Sequence, residues 1–388
     1  MKRSIVAAMM VFMAASLMVK ADSARPAAAS VRIRLPERFR VLTDQLFDLR
    51  VEAAGLQSTD ATLKVIIDGS DLTSRLPAPE ITTDNDSDAA SLDKAWTFRE
   101  MSFPAAGVRQ VQAIVTDGSS TTSATARIGV QPFSLVGRKN IILFIGDGMG
   151  NAYRDAARIV AKSTNNRFRE GFFDEMLNMD LPVSGMVLTH AMDRVTPDSA
   201  NTASAWATGN KTIDGALGVF PDNNDFKFRG NDYLKTKQYA LDNPRIETLW
   251  EYLKRRHGYS TGIVTTADVT DATPAGEGGH TITRALGYDI ARQFVDGVFT
   301  KGTTFDVIMG GGKERFTGRT GANSGDQRNL AEELKKAGFV YVQNGTELKK
   351  LPDGAGAPDK LLGLFRAGTM NVAYDKLGLE RPDGEPRP

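Results

Sequence analysis

The chain has 388 residues, 41% of them hydrophobic, with 48 Lys and Arg against 47 Asp and Glu, a formal net charge of +1. That is enough for two folded units with a sizeable core and argues against disorder, while the charge balance gives nucleic acid or an anionic membrane no electrostatic reason to be a partner. No cysteine is present, which excludes disulfides, a lipidated amino-terminal cysteine and thiolate metal sites.

The amino terminus reads as an address. Lys2 and Arg3 precede the apolar run Ile5–Val19, and Val19-Lys20-Ala21 supplies small residues for cleavage. This is the layout of a secretory signal peptide over residues 1–21. The run is short of the roughly 20 residues that span a bilayer, so no stable membrane anchor is expected. The expected destination is the periplasm or the extracellular space. Residues 22–30, rich in Ala, Ser and Pro, read as a short disordered lead.

From Val31 to about Pro132 the pattern has period two. Phe47, Leu49, Val51 and Ala53 alternate with Asp48, Arg50 and Glu52. Val111, Ala113 and Val115 repeat the alternation, as do Ala124, Ala126, Ile128 and Val130 after the Asp117-Gly118 turn. Half-buried strands between turn signals predict a small all-β, sandwich-like accessory domain over 22–135. It holds no reactive constellation, and a structural accessory is the preferred reading over a carbohydrate-facing module.

At Asn140 the pattern changes. Ile141-Ile142-Leu143-Phe144-Ile145 is a continuous apolar run, as for a strand buried on both faces of a parallel sheet. Gly262–Val264, Val307–Met309 and Phe339–Val342 are further runs, with helical stretches around Ile246–Arg256 and Asn329–Ala337. Strands alternating with helices predict an α/β domain over 139–388, its mainly parallel sheet sandwiched by helices.

Ligands collect at the carboxyl ends of parallel strands, so the residues after each run are the candidates. Asp147 lies in Gly146-Asp-Gly-Met-Gly150, at a strand tip, where a carboxylate can bridge hard cations. Ser199 opens a run of small helix formers closed by Gly209. A helix amino-terminus suits a phosphate, and a hydroxyl there can attack phosphorus once its alkoxide is stabilised; the same Asp198-Ser199 pair also reads as a plain N-cap. Asp271 and Thr273 are oxygen donors two residues apart, as a Mg²⁺ site wants, or an Asx-type turn before Pro274. Arg284 could clasp two phosphate oxygens, or sit as a solvated surface group.

Taken together, Asn140–Gly150, Asp198-Ser199-Ala200, Thr265–Pro274 and Arg284 closely resemble the alkaline phosphatase family, with support from Thr208–Thr212, Met309–Gly312 and Leu361–Phe365. The resemblance covers roughly residues 139–380 and leaves out the β region. It implies a metal-dependent phosphomonoester hydrolase acting on small phosphate monoesters, with Ser199 forming a phosphoserine intermediate. It further implies that Asp147 bridges one zinc and the magnesium, that Thr273 ligates Mg²⁺ with Asp271 beside it, and that Arg284 holds the phosphate. Two Zn²⁺ and one Mg²⁺ are the implied cofactors, and a homodimer is the implied assembly.

Two departures stand out. Asn201 and Ser204 occupy places where the family usually has a small residue and a threonine. The family's zinc ligands come mostly from a carboxyl-terminal region that the resemblance does not reach, and the chain has three histidines, His190, His257 and His280, all read as structural or surface groups. The expectation is therefore a chain incomplete as given, which binds metal weakly and folds poorly by itself. The alternatives are a diesterase or sulfatase of the same superfamily, or a non-catalytic exported binding protein carrying a phosphatase remnant.

Overall fold

The computed structural model describes residues 29–83, 92–137, 140–162, 182–322 and 324–371. The signal-peptide reading at 1–21 lies outside the described residues.

Among the described residues nine strands come first: β1 (Ser30–Ile33), β2 (Arg40–Leu42), β3 (Phe47–Leu56), β4 (Thr62–Ile67), β5 (Ser70–Asp71), β6 (Glu80–Thr83), β7 (Leu92–Met101), β8 (Gly107–Asp117) and β9 (Ser120–Gln131). They form two sheets, ordered β1-β3-β7-β6 and β2-β9-β8-β4-β5. The alternation read in the sequence explains them: Phe47, Leu49 and Ala53 from one sheet and Val111, Val115, Ile128 and Val130 from the other meet in a single apolar core.

In β3 the polar half of the alternation is not solvent-facing. Asp48, Arg50 and Glu52 are as buried as the apolar residues between them. The outer face of this strand packs against the segment around 220–247, whose Phe220 and Ile246 join the β core. Charged pairs fill the contact: Asp48 Oδ2 accepts from Arg99 at 2.7 Å and from Arg245 at 2.8 Å, and Arg50 Nε donates to Glu52 at 2.8 Å.

The second region carries helices α1 (Asn151–Lys162), α2 (Ser199–Thr208), α3 (Tyr233–Thr236) and α4 (Leu249–His257), strand β10 (Gly262–Asp268), then α5 (Ala272–Ala275) and α6 (Gly287–Asp296). It continues with β11 (Val307–Gly311), α7 (Lys313–Thr317), α8 (Leu330–Lys336), β12 (Val340–Val342), α9 (Gly345–Leu348) and β13 (Leu361–Leu364). The four strands make one sheet, ordered β10-β11-β13-β12, with every pair parallel. No helix among the described residues is long and apolar enough to cross a membrane.

One predicted element differs. Residues 141–145 form no strand, and Phe144 is 89% exposed. The segment runs beside β10, with narrow cavities lined by Ile141, Leu143 and Ile145 on one side and Gly262–Thr265 on the other. No backbone hydrogen bond crosses to β10. An apolar run becomes a buried strand only when partners pair its edges and cover its faces, and the described residues do not do so here.

Candidate active site

Three chain segments converge at the amino end of α2. Helix α2 begins where Asp198, in extended backbone, caps it: Asp198 Oδ1 accepts from the backbone N–H of Ala200 and Asn201, each at 3.1 Å. Asn201 returns the bond, its Oδ1 accepting from the Asp198 N–H at 2.8 Å. This reciprocal cap fixes Ser199 at the first helical position, at the positive dipole end of the helix.

Asp147 comes to the same place from the turn after residue 145. Gly148 takes φ +65°, a conformation in which a Cβ would be strained, and so lets the chain reverse beside the carboxylate. Ser199 Oγ donates to Asp147 Oδ1 at 3.1 Å, and Thr273 Oγ1, from α5, donates to Asp147 Oδ2 at 2.8 Å. One carboxylate therefore joins two hydroxyls drawn from two different helices.

Arg284 lies on the other flank. Its Nη1 donates to Asp198 Oδ2 at 3.2 Å and its Nη2 to Asp271 Oδ1. Burial by itself would lower the guanidinium pKa, but these two carboxylates outweigh it and raise it. The structure thus brings all five predicted residues, Asp147, Ser199, Asp271, Thr273 and Arg284, into two linked chains of contacts. Three of them, Asp147, Ser199 and Arg284, border an open cavity of about 540 Å³ that Asp198, Thr202 and Trp206 also line.

The donor set can be tested against a cation. Asp147, Asp198 and Asp271 place three negative charges against the one of Arg284, an excess of two, at a site whose donors are all oxygens. A hard divalent ion such as Mg²⁺ fits that chemistry and would bring the charge to zero before an anion arrives. Zinc's usual imidazole ligands are not here. His280 is buried between Glu251 and the Gly218 carbonyl, His257 packs against Tyr252 and Phe133, and exposed His190 offers its carbonyl to Lys211. Among the described residues no three His, Asp or Glu side chains converge into a metal-holding group by themselves.

The family model for alkaline phosphatase matches residues 138–383, more than half of the chain. The chain belongs to the alkaline phosphatase family. Alkaline phosphatase 4 of Bacillus subtilis is 33% identical over 241 residues, 61% of this chain and 44% of that protein. The alkaline phosphatase of Escherichia fergusonii is 31% identical over 277 residues, 66% of this chain and 51% of that one. Streptomycin-6-phosphate phosphatase of Streptomyces griseus is 31% identical over 279 residues, 67% and 54% respectively. The chain spans about half the length of these curated alkaline phosphatase relatives.

Both departures from the alkaline phosphatase motif have structural work. Asn201 makes the cap and also donates to the Thr189 carbonyl at 3.3 Å. Ser204 Oγ donates to the Ala216 carbonyl at 2.8 Å and accepts from the Gly218 N–H at 3.0 Å, tying α2 to the loop behind it.

Sequence reasoning missed three groups. Asp198 was read as a cap and also holds Arg284. Trp206 follows Ser199 and Thr202 on one helical face, a spacing of three and four that was there to be read. Trp206 Nε1 donates at 2.8 Å to Glu277, a carboxyl among glycines whose second oxygen accepts no hydrogen bond. Burial pushes Glu277 up to about 8, opposed by the Trp206 bond.

Proposed function

We propose that the chain carries the nucleophile and phosphate-binding part of a metal-dependent phosphomonoester hydrolase, working through a phosphoserine at Ser199. The supporting observation is the shared carboxylate: Asp147 accepts from both Ser199 and Thr273 while Arg284 faces the same cavity. In this reading the helices sandwich the parallel sheet and present the site at one of its ends. The leader at 1–21 makes the protein an exported one.

The phosphate of a small monoester enters at the amino end of α2, where the positive end of the helix dipole favours an anion. Arg284 uses two of its five N–H groups on Asp198 and Asp271, which orient the fork and leave donors for two non-bridging oxygens. Asp147 Oδ1 holds the Ser199 hydroxyl proton and sets the direction of Oγ. Ser199 Oγ then forms a bond to phosphorus, its proton passing to Asp147 Oδ1, as the in-line bond from phosphorus to the ester oxygen breaks and that oxygen leaves, taking up a proton to become the alcohol. Water attacks the phosphoserine in a second displacement, releasing phosphate and restoring the hydroxyl. Mg²⁺ bound by Asp147 and Thr273, with Asp271 beside them, would supply charge neutralisation at the attacking oxygen.

The test is hydrolysis of an aryl phosphate at alkaline pH by the purified chain with Mg²⁺ and Zn²⁺, beside Ser199→Ala. Turnover abolished by the substitution supports the reading. Turnover that survives it sinks the nucleophile assignment, and faster hydrolysis of a bis-aryl phosphate would move the assignment to a diesterase.

A further inference from the structure

A second oxygen-rich cluster lies away from Ser199, where the chain returns from the β sheets towards α4. Asp222, Asn224 and Asp225 come from one turn, and Asp242 and Asn243 from the segment that closes it. They form a ring. Asp225 Oδ2 accepts from the Asp222 N–H at 2.9 Å, and Asp222 Oδ1 accepts from the Asn224 N–H at 3.0 Å. Asn224 Nδ2 donates to Asp242 Oδ2 at 2.8 Å, and Asn243 Nδ2 donates to Asp225 Oδ1 at 2.9 Å.

These bonds use both side-chain amide groups and leave oxygens over. Asp222 Oδ2, Asn224 Oδ1, Asp242 Oδ1 and Asn243 Oδ1 are all buried and accept no hydrogen bond. Asn224 and Asn243 are 0% exposed, and each is held on a carboxylate of the ring by its Nδ2, which keeps its Oδ1 there. A wholly buried amide oxygen without a donor costs free energy, and here there are two beside three carboxylates. Arg50 Nη2 stands 3.4 Å from Asp222 Oδ2, but that guanidinium already serves Glu52, Thr97 and Asn223.

We propose that this ring binds one hard divalent cation of calcium size through Asp222, Asn224, Asp242 and Asn243. Calcium takes six to eight oxygens, mixing carboxylates with amide carbonyls in a flexible shell; Mg²⁺ demands a tighter octahedron, and zinc prefers nitrogen or sulfur. The carboxylates do not suffice without the two amides, since among the described residues no three His, Asp or Glu side chains are placed to hold a metal by themselves. The position gives the ion a task. Asn223 donates its N–H to Glu52 at 3.1 Å, Arg99 donates to the carbonyls of Asp242 and Asn243, and Phe220 packs into the β core. A cation here would fasten the segment between α2 and α4 that packs against the β sheets, independently of the Ser199 site.

The experiment uses the full chain, stripped with a chelator, in calcium equilibrium dialysis and in thermal unfolding with and without millimolar calcium. The expected result is one calcium per chain and a rise in Tm of several degrees. Asp242→Asn relieves repulsion, so it should be at least as stable as the parent without calcium, yet lose the calcium-dependent rise and bind roughly tenfold or more weakly. Asp147→Ala should keep both. No calcium-dependent rise in the parent would overturn the proposal, with protons or water then satisfying the ring. Binding lost in Asp147→Ala and kept in Asp242→Asn would overturn it too, by placing the ion in the Ser199 cavity.

Discussion

At the scale of single residues the site is governed by which carboxylate holds which donor. Asp147 serves two hydroxyls while Asp198 and Asp271 share one guanidinium. Arg284→Lys keeps the charge and loses the planar fork, so KM for an aryl phosphate should rise by about tenfold to a hundredfold, the worth of charge-assisted hydrogen bonds at about 1.5–3 kcal/mol. Steady-state kinetics would check this, and an unchanged KM would remove Arg284 from phosphate binding. Glu277 gives a pH prediction. Its folded pKa, about 8, lies above the 4.5 of an ordinary glutamate, so the folded chain binds the extra proton between those values. Its contribution to stability is full below about 4.5 and falls as pH rises to about 8. Glu277→Gln should flatten that fall, measured by urea unfolding at several pH values; a slope identical to the parent's would contradict the assignment.

At the scale of elements, α2 shows how local signals suffice when the determinants are local. The Asp198 cap, the small residues and Gly209 in the left-handed region at φ 77° bound the helix as read from the sequence. Asp198→Ala should cost about 1–2 kcal/mol from the cap alone, seen as a lower urea midpoint at unchanged slope. Helix α2 also lies against α5, where a methyl group on Gly276 would collide with Ala203 Cβ. Gly276→Ala should therefore cost about 1–3 kcal/mol as an overpacking change, and would part Thr273 from Asp147. Strands β10, β11 and β12 likewise follow apolar runs that the sequence displays. Residues 141–145 do not, because their burial depends on a neighbour's edge and not on their own composition.

At the scale of the whole molecule, the β sheets are bound to the α/β region by charge as well as by apolar contact. Asp48 is fully buried, and although burial alone would raise its pKa, Arg245 and Arg99 hold it below the usual value of 3.8. Its folded pKa is depressed, so this contribution is present above about pH 3.8 and is lost as pH falls through the folded value. Asp48→Ala should destabilise by about 3 kcal/mol, the low end for a buried pair that loses one partner. Differential scanning calorimetry should show a lower Tm, with the β sheets and the α/β region no longer melting together.

The sequence by itself determined the class of each region, because period two and continuous apolar runs are properties of neighbouring residues. It also determined the five candidate residues, because they sit in short motifs at strand ends and a helix start. The tertiary structure decided which of them touch, that Asp198 has a second task, and that Asp48, Arg50 and Glu52 face an interface. Those outcomes depend on contacts between positions some 50 to 200 residues apart, such as Ser199 with Asp147 and Arg245 with Asp48. No local pattern encodes such distances. A polar residue opposite solvent and one opposite a buried partner look the same in a strand until the partner is in place.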